Sequence, residues 1–170
     1  MLNKPAKNGI QFLVLVDAKS FYIFNLEVYA GKQPAEPYAL SNSAFSVVER
    51  LIMPIFKTNR KMTFDNWFTS DELMMHLLTE DRLTSTGTVY KNKRCIPSAF
   101  LKTGKEPGTM FGFQKDISLV SYAPNKNKVV VVMSTLHQDD KIDESTGDQK
   151  KPEMITFYNS TKAGVDVVDE

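Results

Sequence analysis

One cysteine and two histidines are all that 170 residues offer to a disulfide or a zinc site. Cys95 has no intrachain partner, and with the distant His76 and His137 it falls short of a structural zinc's four ligands. No stretch approaches the roughly 20 apolar residues of a membrane span. The opening MLNKPAKNGIQF lacks the apolar core of a signal peptide. The chain therefore reads as soluble, intracellular and kept in a reducing compartment. Proline and glycine, 8 of each, are too few for a linker or a low-complexity chain. Charge of one sign is also lacking: the net value of +1 gives no global argument for a polyanionic partner. Locally it is uneven, with KTNRK at 57–61, KNKR at 91–94, and Lys102, Lys105, Lys126 and Lys128 in connecting segments. Clusters of this size can meet phosphates, but they serve more often as solvated loop charges.

What is present suits one globular domain, which at this length can bury about 70% of the surface its unfolded chain exposes. FLVLV at 12–16 is the apolar run of a central strand covered on both faces, and it ends in Asp17. FYIFNLEVYA at 21–30 is a second strand after a tight hairpin, and GKQPAEPY at 31–38 is a loop. Ser43 can cap a helix over about 43–53, with Phe45, Val48, Leu51 and Ile52 at helical spacing and Pro54 ending or kinking it. A short strand at 61–64 precedes a helix over about 70–81, for which Thr69 and Glu72 have the spacing of a capping box. Residues 83–90 return to strand, with Gly87 marking a kink or a close backbone approach. A basic loop, three β-like runs (110–113, 117–122, 128–135), a polar turn-rich segment at 137–153, an apolar piece at 154–158 and a helix from near Ser160 complete the order. Alternating strands and helices predict an α/β layered domain, and the β-rich stretch predicts an insertion within it.

Aspartates stand at element ends: Asp17 after FLVLV, Asp65 after KMTF, and Asp166 in the last helix with Asp169 one turn on. If the strands near 11 and 61 are parallel neighbours, Asp17 and Asp65 emerge at one carboxyl edge, where α/β folds place ligands. Two carboxylates about 4 Å apart repel by ~4 kcal/mol at an effective dielectric near 20. Three converging ones therefore take up a proton or hold a cation such as Mg²⁺ or Mn²⁺. Strand-end aspartates are also ordinary caps and turn formers, so spacing leaves both readings open. Trp67 can contact a base or pack the strand-to-helix corner, and His76 and His137 read as structural or solvent-exposed.

VLVDAKSFYIFNLEVYAGKQP at 14–34, TFDNWFTS at 63–70, LTSTGTVYKNKR at 83–94, FGFQKDISLVSYAPNKNK at 111–128, STLHQDD at 134–140 and FYNSTKAGVDVVDE at 157–170 together resemble the catalytic core of the piggyBac transposase family. The resemblance implies an RNase H-like DDE/D core, a mixed sheet flanked by helices with a β-rich insertion subdomain. Residues 1–95 would form its first part, 96–153 the insertion, and 154–170 the end that brings the third aspartate. It implies catalytic, metal-binding roles for Asp17, Asp65 and Asp166, with Asp169 as the additional acidic ligand, for two Mg²⁺ or Mn²⁺ ions. Asn66 and Trp67 would support the site, and Lys91, Lys93 and Arg94 would meet DNA backbone.

In that family the core cuts DNA at transposon ends, forms a hairpin through the flanking TTAA and joins the ends to a TTAA target. Each step is an in-line displacement that one metal cluster can serve. DNA is the implied partner, a homodimer is the family's assembly but is not expected of this chain alone, and the nucleus is the implied location. Ala163 stands where glycine is common. The family's N-terminal region, the helices after the last aspartate and its cysteine-rich zinc module have no counterpart here, so Met1 is expected to be an internal residue of an ancestral frame. A remnant that binds DNA or protein without catalysis is the alternative.

Overall fold

The computed structural model describes residues 10–29, 31, 37, 39–101, 108–125 and 128–168, except the side chains of 165–168. Its centre is a five-stranded sheet made by β3 (Lys61–Phe64), β4 (Thr84–Thr88), β5 (Gly108–Gln114), β6 (Ile117–Asn125) and β7 (Lys128–Ser134) in the order β3-β4-β7-β6-β5. Only β3 and β4 run parallel; the other pairs are antiparallel. The three strands after the basic loop thus extend the same sheet that holds β3 and β4, through the pairing of Thr86 with Ser134 and Thr88 with Val132.

Alternation along β6 and β7 decides which layer covers which face. Leu119, Val131 and Met133 point to one side, where α1 (Ala44–Leu51) and α2 (Asp71–Thr79) bury Val48, Leu73, Met74 and Leu77 against Met62, Phe64 and Leu83. Val120, Tyr122 and Val132 point to the other side and meet Met154 and Ile155 of α3 (Glu153–Val168). The result is a helix–sheet–helix sandwich. Ser43 caps α1 as the sequence predicts, its hydroxyl accepting from the Ser46 N–H, and Pro54 stands in a short 3₁₀ turn, Met53–Ile55, just beyond the helix.

Three expectations need correction. Ser70, not Thr69, caps α2 by accepting from the Leu73 N–H, because Thr69 is fully buried and turns its hydroxyl to the Asp65 carbonyl. The last helix starts at Glu153 rather than near Ser160: Pro152 opens its first turn, and Met154 and Ile155 are the residues that seat it. The strand ending at Asp17 is not a doubly covered central strand. β1 (Gln11–Val16) pairs antiparallel with β2 (Ile23–Tyr29) in a separate two-stranded sheet.

One face of that hairpin packs Leu13, Leu15 and Tyr29 on Val47, Leu51 and Phe68; the other leaves Phe12, Leu26 and Val28 about half exposed. Arg50 of α1 clamps the hairpin by a two-pronged bond to Glu27, 2.6 and 2.8 Å long. The loop at 31–38 lies almost wholly outside the described residues, as do residues 1–9, Lys102, Lys105 and Lys126.

Candidate metal and DNA site at the strand ends

Asp17 closes β1 and opens the turn into β2. The Asp-x-x-Ser spacing of DAKS lets the carboxylate act on its own turn: Oδ2 accepts from the Ser20 N–H at 2.8 Å and from the Ser20 hydroxyl at 2.6 Å. The hydroxyl bond, then the backbone N–H bond, hold the Asp17 pKa below the usual carboxylate range, and the Arg60 charge pulls the same way. The Lys19 N–H acts on the same carboxylate in the same direction.

Asp65 repeats this arrangement at the end of a strand of the larger sheet. It follows β3, and its Oδ1 accepts from the N–H groups of Trp67 at 2.8 Å and Phe68 at 3.3 Å, forming a turn between strand and helix. Its other oxygen is free of hydrogen bonds among the described residues. Below the turn, Thr69 donates to the Asp65 carbonyl through its hydroxyl at 2.7 Å and its N–H at 3.2 Å. Gly87 makes room for that threonine, since a Cβ there would stand 2.2 Å from Thr69 Oγ1. The close approach expected at Gly87 is therefore to the turn that holds Asp65. Trp67 is 37% exposed and lies edge-on to Phe68 at 4.6 Å, so its backbone holds Asp65 while its ring caps the corner. Asn66 is half-buried in the same turn.

Asp166 lies on α3, and the path of that helix can be followed residue by residue. Phe157 stands over the Lys61 ammonium at the start of β3. Thr161 meets Thr63 hydroxyl to hydroxyl at 2.7 Å at mid-strand, and Tyr158 meets Thr88 at 3.3 Å on β4. Gly164 then packs on the end of β1, where an added Cβ would stand 3.0 Å from Ala18 Cα and 3.6 Å from the Asp17 carbonyl oxygen. The helix thus runs along β3 toward Asp65 and reaches the Asp17 turn two residues before Asp166. The Asp166 side chain and all of Asp169 lie outside the described residues. Among the described residues no three His, Cys, Asp or Glu side chains gather into a metal seat.

β1 and β3 are not hydrogen-bonded neighbours, so the single carboxyl edge expected of them is not built by strand pairing. It is α3 that touches both strand ends. The parallel pairing of β3 with β4 sends the chain beyond β4 out on the same side as Asp65, and Lys91, Lys93 and Arg94 follow there in a turn-rich loop; Lys91 and Arg94 are exposed and Lys93 is half-buried.

Sequence reasoning missed Ser20, Thr69 and Gly164. For Ser20 the signal was the i, i+3 spacing from Asp17, and for Gly164 it was a glycine kept inside a helix. The two histidines are structural. His76 on α2 faces Glu49 at 3.3 Å and the buried Asp81 at 3.8 Å. His137 bonds Ser134 through Nδ1 at 2.9 Å beside the Phe157 ring.

The family described as Transposase IS4 matches residues 1–170. No curated protein matches. Among solved structures, a cryo-EM structure of the piggyBac transposase in a synaptic complex with hairpin DNA is similar at 38% identity with a TM-score of 0.86. The match covers 99% of this chain and 35% of that one, so the chain spans about a third of that transposase. With the family matched from end to end and its mixed α/β core, an RNase H-like fold, shared at this identity, the chain belongs to the piggyBac transposase family, among the proteins described as Transposase IS4.

Proposed function

We propose that the chain is the catalytic core of a DDE/D transposase, cutting and joining DNA strands at phosphodiester bonds with two divalent ions held by Asp17, Asp65, Asp166 and Asp169. The observation that carries this reading is the seat of Gly164 on the Asp17–Ala18 backbone, two residues before Asp166 on a helix that has just crossed β3 below Asp65.

The donors suit the ions. Asp17 and Asp65 are each held by a fixed turn through a carboxylate oxygen, and hard oxygen donors in that number favour Mg²⁺ or Mn²⁺. When bound, two such ions activate one oxygen as nucleophile and stabilise the leaving oxygen. The chain's own contribution is orientation. Ser20 fixes the Asp17 rotamer and keeps it ionised, the Trp67 and Phe68 N–H groups fix Asp65, and Lys91, Lys93 and Arg94 contact backbone phosphates on the Asp65 side.

DNA as partner follows from the complex formed by the related transposase. Cleavage and joining at TTAA, and work in the nucleus, belong to the same proposal. The alternative is a remnant of the family that binds DNA or protein without catalysis.

Thermal unfolding with and without millimolar Mn²⁺ or Mg²⁺ tests the metal site. At a hundred times its dissociation constant an ion should stabilise the fold by about 2.7 kcal/mol. An unshifted wild type, or a shift that survives Asp65→Ala, would refute it. Mn²⁺-dependent nicking of TTAA-containing DNA that disappears in Asp17→Asn separates the catalytic reading from the binding-only one.

A further inference from the structure

The turn that carries Asp17 also exposes aromatic rings. Tyr22, 64% exposed, stands edge-on to the Phe24 ring with centroids 5.2 Å apart, and the Arg60 guanidinium lies 4.9 Å over the Phe24 ring. Phenol, phenyl and guanidinium thus form a column, rooted at Arg60 and ending in an open ring.

The column joins the Asp17 turn through the backbone. The Asp17 N–H donates to the Tyr22 carbonyl and the Phe21 N–H to the Asp17 carbonyl, each at 2.9 Å. Phe21, between them in sequence, adopts the left-handed φ of 59°, a costly conformation for an aromatic residue. That local strain is the kind found where a site over-determines the backbone.

Sheet packing gives Tyr22 no reason to be there, since it precedes β2 and its ring faces solvent. Charge indicates what the ring meets: Lys19 is exposed in the same turn, and Arg60 lies over the Phe24 ring that Tyr22 touches. An exposed aromatic ring with cations on its own turn and under its neighbour suits a nucleobase whose phosphates need neutralising, because base–aromatic stacking tolerates any sequence and guanidinium reinforces it.

We propose that Tyr22, braced by Phe24 and Arg60, is a stacking subsite for an unpaired base of the DNA strand processed at Asp17. The proposal rests on the reading of the preceding subsection and adds the substrate feature recognised: a single-stranded or flipped nucleotide beside the scissile phosphate. Paired bases are closed to this ring, so the subsite distinguishes opened DNA from intact duplex.

The test compares two fluorescein-labelled probes by anisotropy, a blunt duplex and the same duplex with a single-stranded overhang, with 2-aminopurine in the overhang as a stacking reporter. Tyr22→Ala is expected to weaken overhang binding by about five- to tenfold, to leave blunt-duplex binding unchanged and to lose the 2-aminopurine signal. Tyr22→Phe retains all three properties of the wild type. Tyr22→Ala binding equal to wild type on the overhang, or equally weakened on both probes, overturns the subsite alone. A wild type that binds neither probe overturns the DNA reading together with the subsite.

Discussion

Replacing Gly87 with alanine puts a methyl carbon 2.2 Å from Thr69 Oγ1, 3.1 Å from the Phe64 carbonyl oxygen and 3.3 Å from Phe64 Cβ. The first distance is far inside contact, and Thr69 cannot yield outward because it is fully buried. Its hydroxyl must leave the Asp65 carbonyl, at a net cost of about 1 kcal/mol for the hydrogen bond. Overpacking adds about 1–3 kcal/mol. Alanine recovers roughly 0.5–1 kcal/mol of backbone entropy in the strand. The balance is a destabilisation of about 2 kcal/mol, or a fall in melting temperature of about 4–8 °C for a chain of this size.

Urea unfolding measures the cost, and a double-mutant cycle assigns it. Thr69→Ala removes the obstructing oxygen, so Gly87→Ala in that background should cost at least 1 kcal/mol less than in the wild type. The same substitution should weaken the Mn²⁺-induced thermal shift, because the displaced turn is the one that orients Asp65. A Gly87→Ala protein within about 0.5 kcal/mol of wild type, or strict additivity in the cycle, would refute this account of the glycine.

Phe21→Gly releases the left-handed strain and should raise stability by about 0.5–1 kcal/mol in urea unfolding; a loss would mean that the ring's packing outweighs its backbone cost. Burial of His137 pushes its pKa below the ordinary 6.5, so the folded chain binds fewer protons there than the unfolded one. The stability this contributes is full above about pH 6.5 and is lost as the pH falls toward the folded value, and His137→Gln should flatten that part of a pH series of melts. Glu27 behaves as a paired carboxylate: its bonds to Arg50 lower its pKa. Its contribution is present above the ordinary carboxylate range and is lost as the pH falls through the depressed value. Glu27→Gln should cost about 1 kcal/mol at pH 7, read by urea unfolding, and progressively less in acid.

The elements with strong local signals were legible in sequence. Ser43 caps α1 and Met74 and Leu77 are buried on α2 because capping and a 3.6-residue period act within one turn. The errors share one cause, that tertiary packing chose between local options. Thr69 and Ser70 are both competent caps, and burial against Gly87 drew Thr69 away. The apolar piece at 154–158 gave no sign that it belonged to the helix carrying Asp166, because its partners Val120, Tyr122 and Val132 are over twenty residues distant in sequence. FLVLV read as doubly covered because continuous apolar runs usually are, whereas one face of this hairpin leaves Phe12, Leu26 and Val28 exposed.

The site divides in the same way. How Asp17 and Asp65 are held is local, since Ser20, which the sequence reading passed over, and the Trp67 N–H lie within three residues of the carboxylates they fix. How the carboxylates relate is not, because β1 and β3 share no ladder and meet through α3 and side-chain packing instead. Gly164 is where the two scales meet. Helix propensity alone favours alanine there by about 1 kcal/mol, and Ala163 beside it shows the helix accepting one. A methyl group at 164 would stand 3.0 Å from Ala18 Cα, against backbone that cannot rotate aside, and would push α3 off the Asp17 turn. The chain thus forgoes local helix stability at the position where α3 closely approaches the Asp17 turn. A residue unfavourable for its own element and fitted to a distant contact marks a site more clearly than the aspartates do, since aspartates end strands everywhere and a glycine inside a helix has to be accounted for.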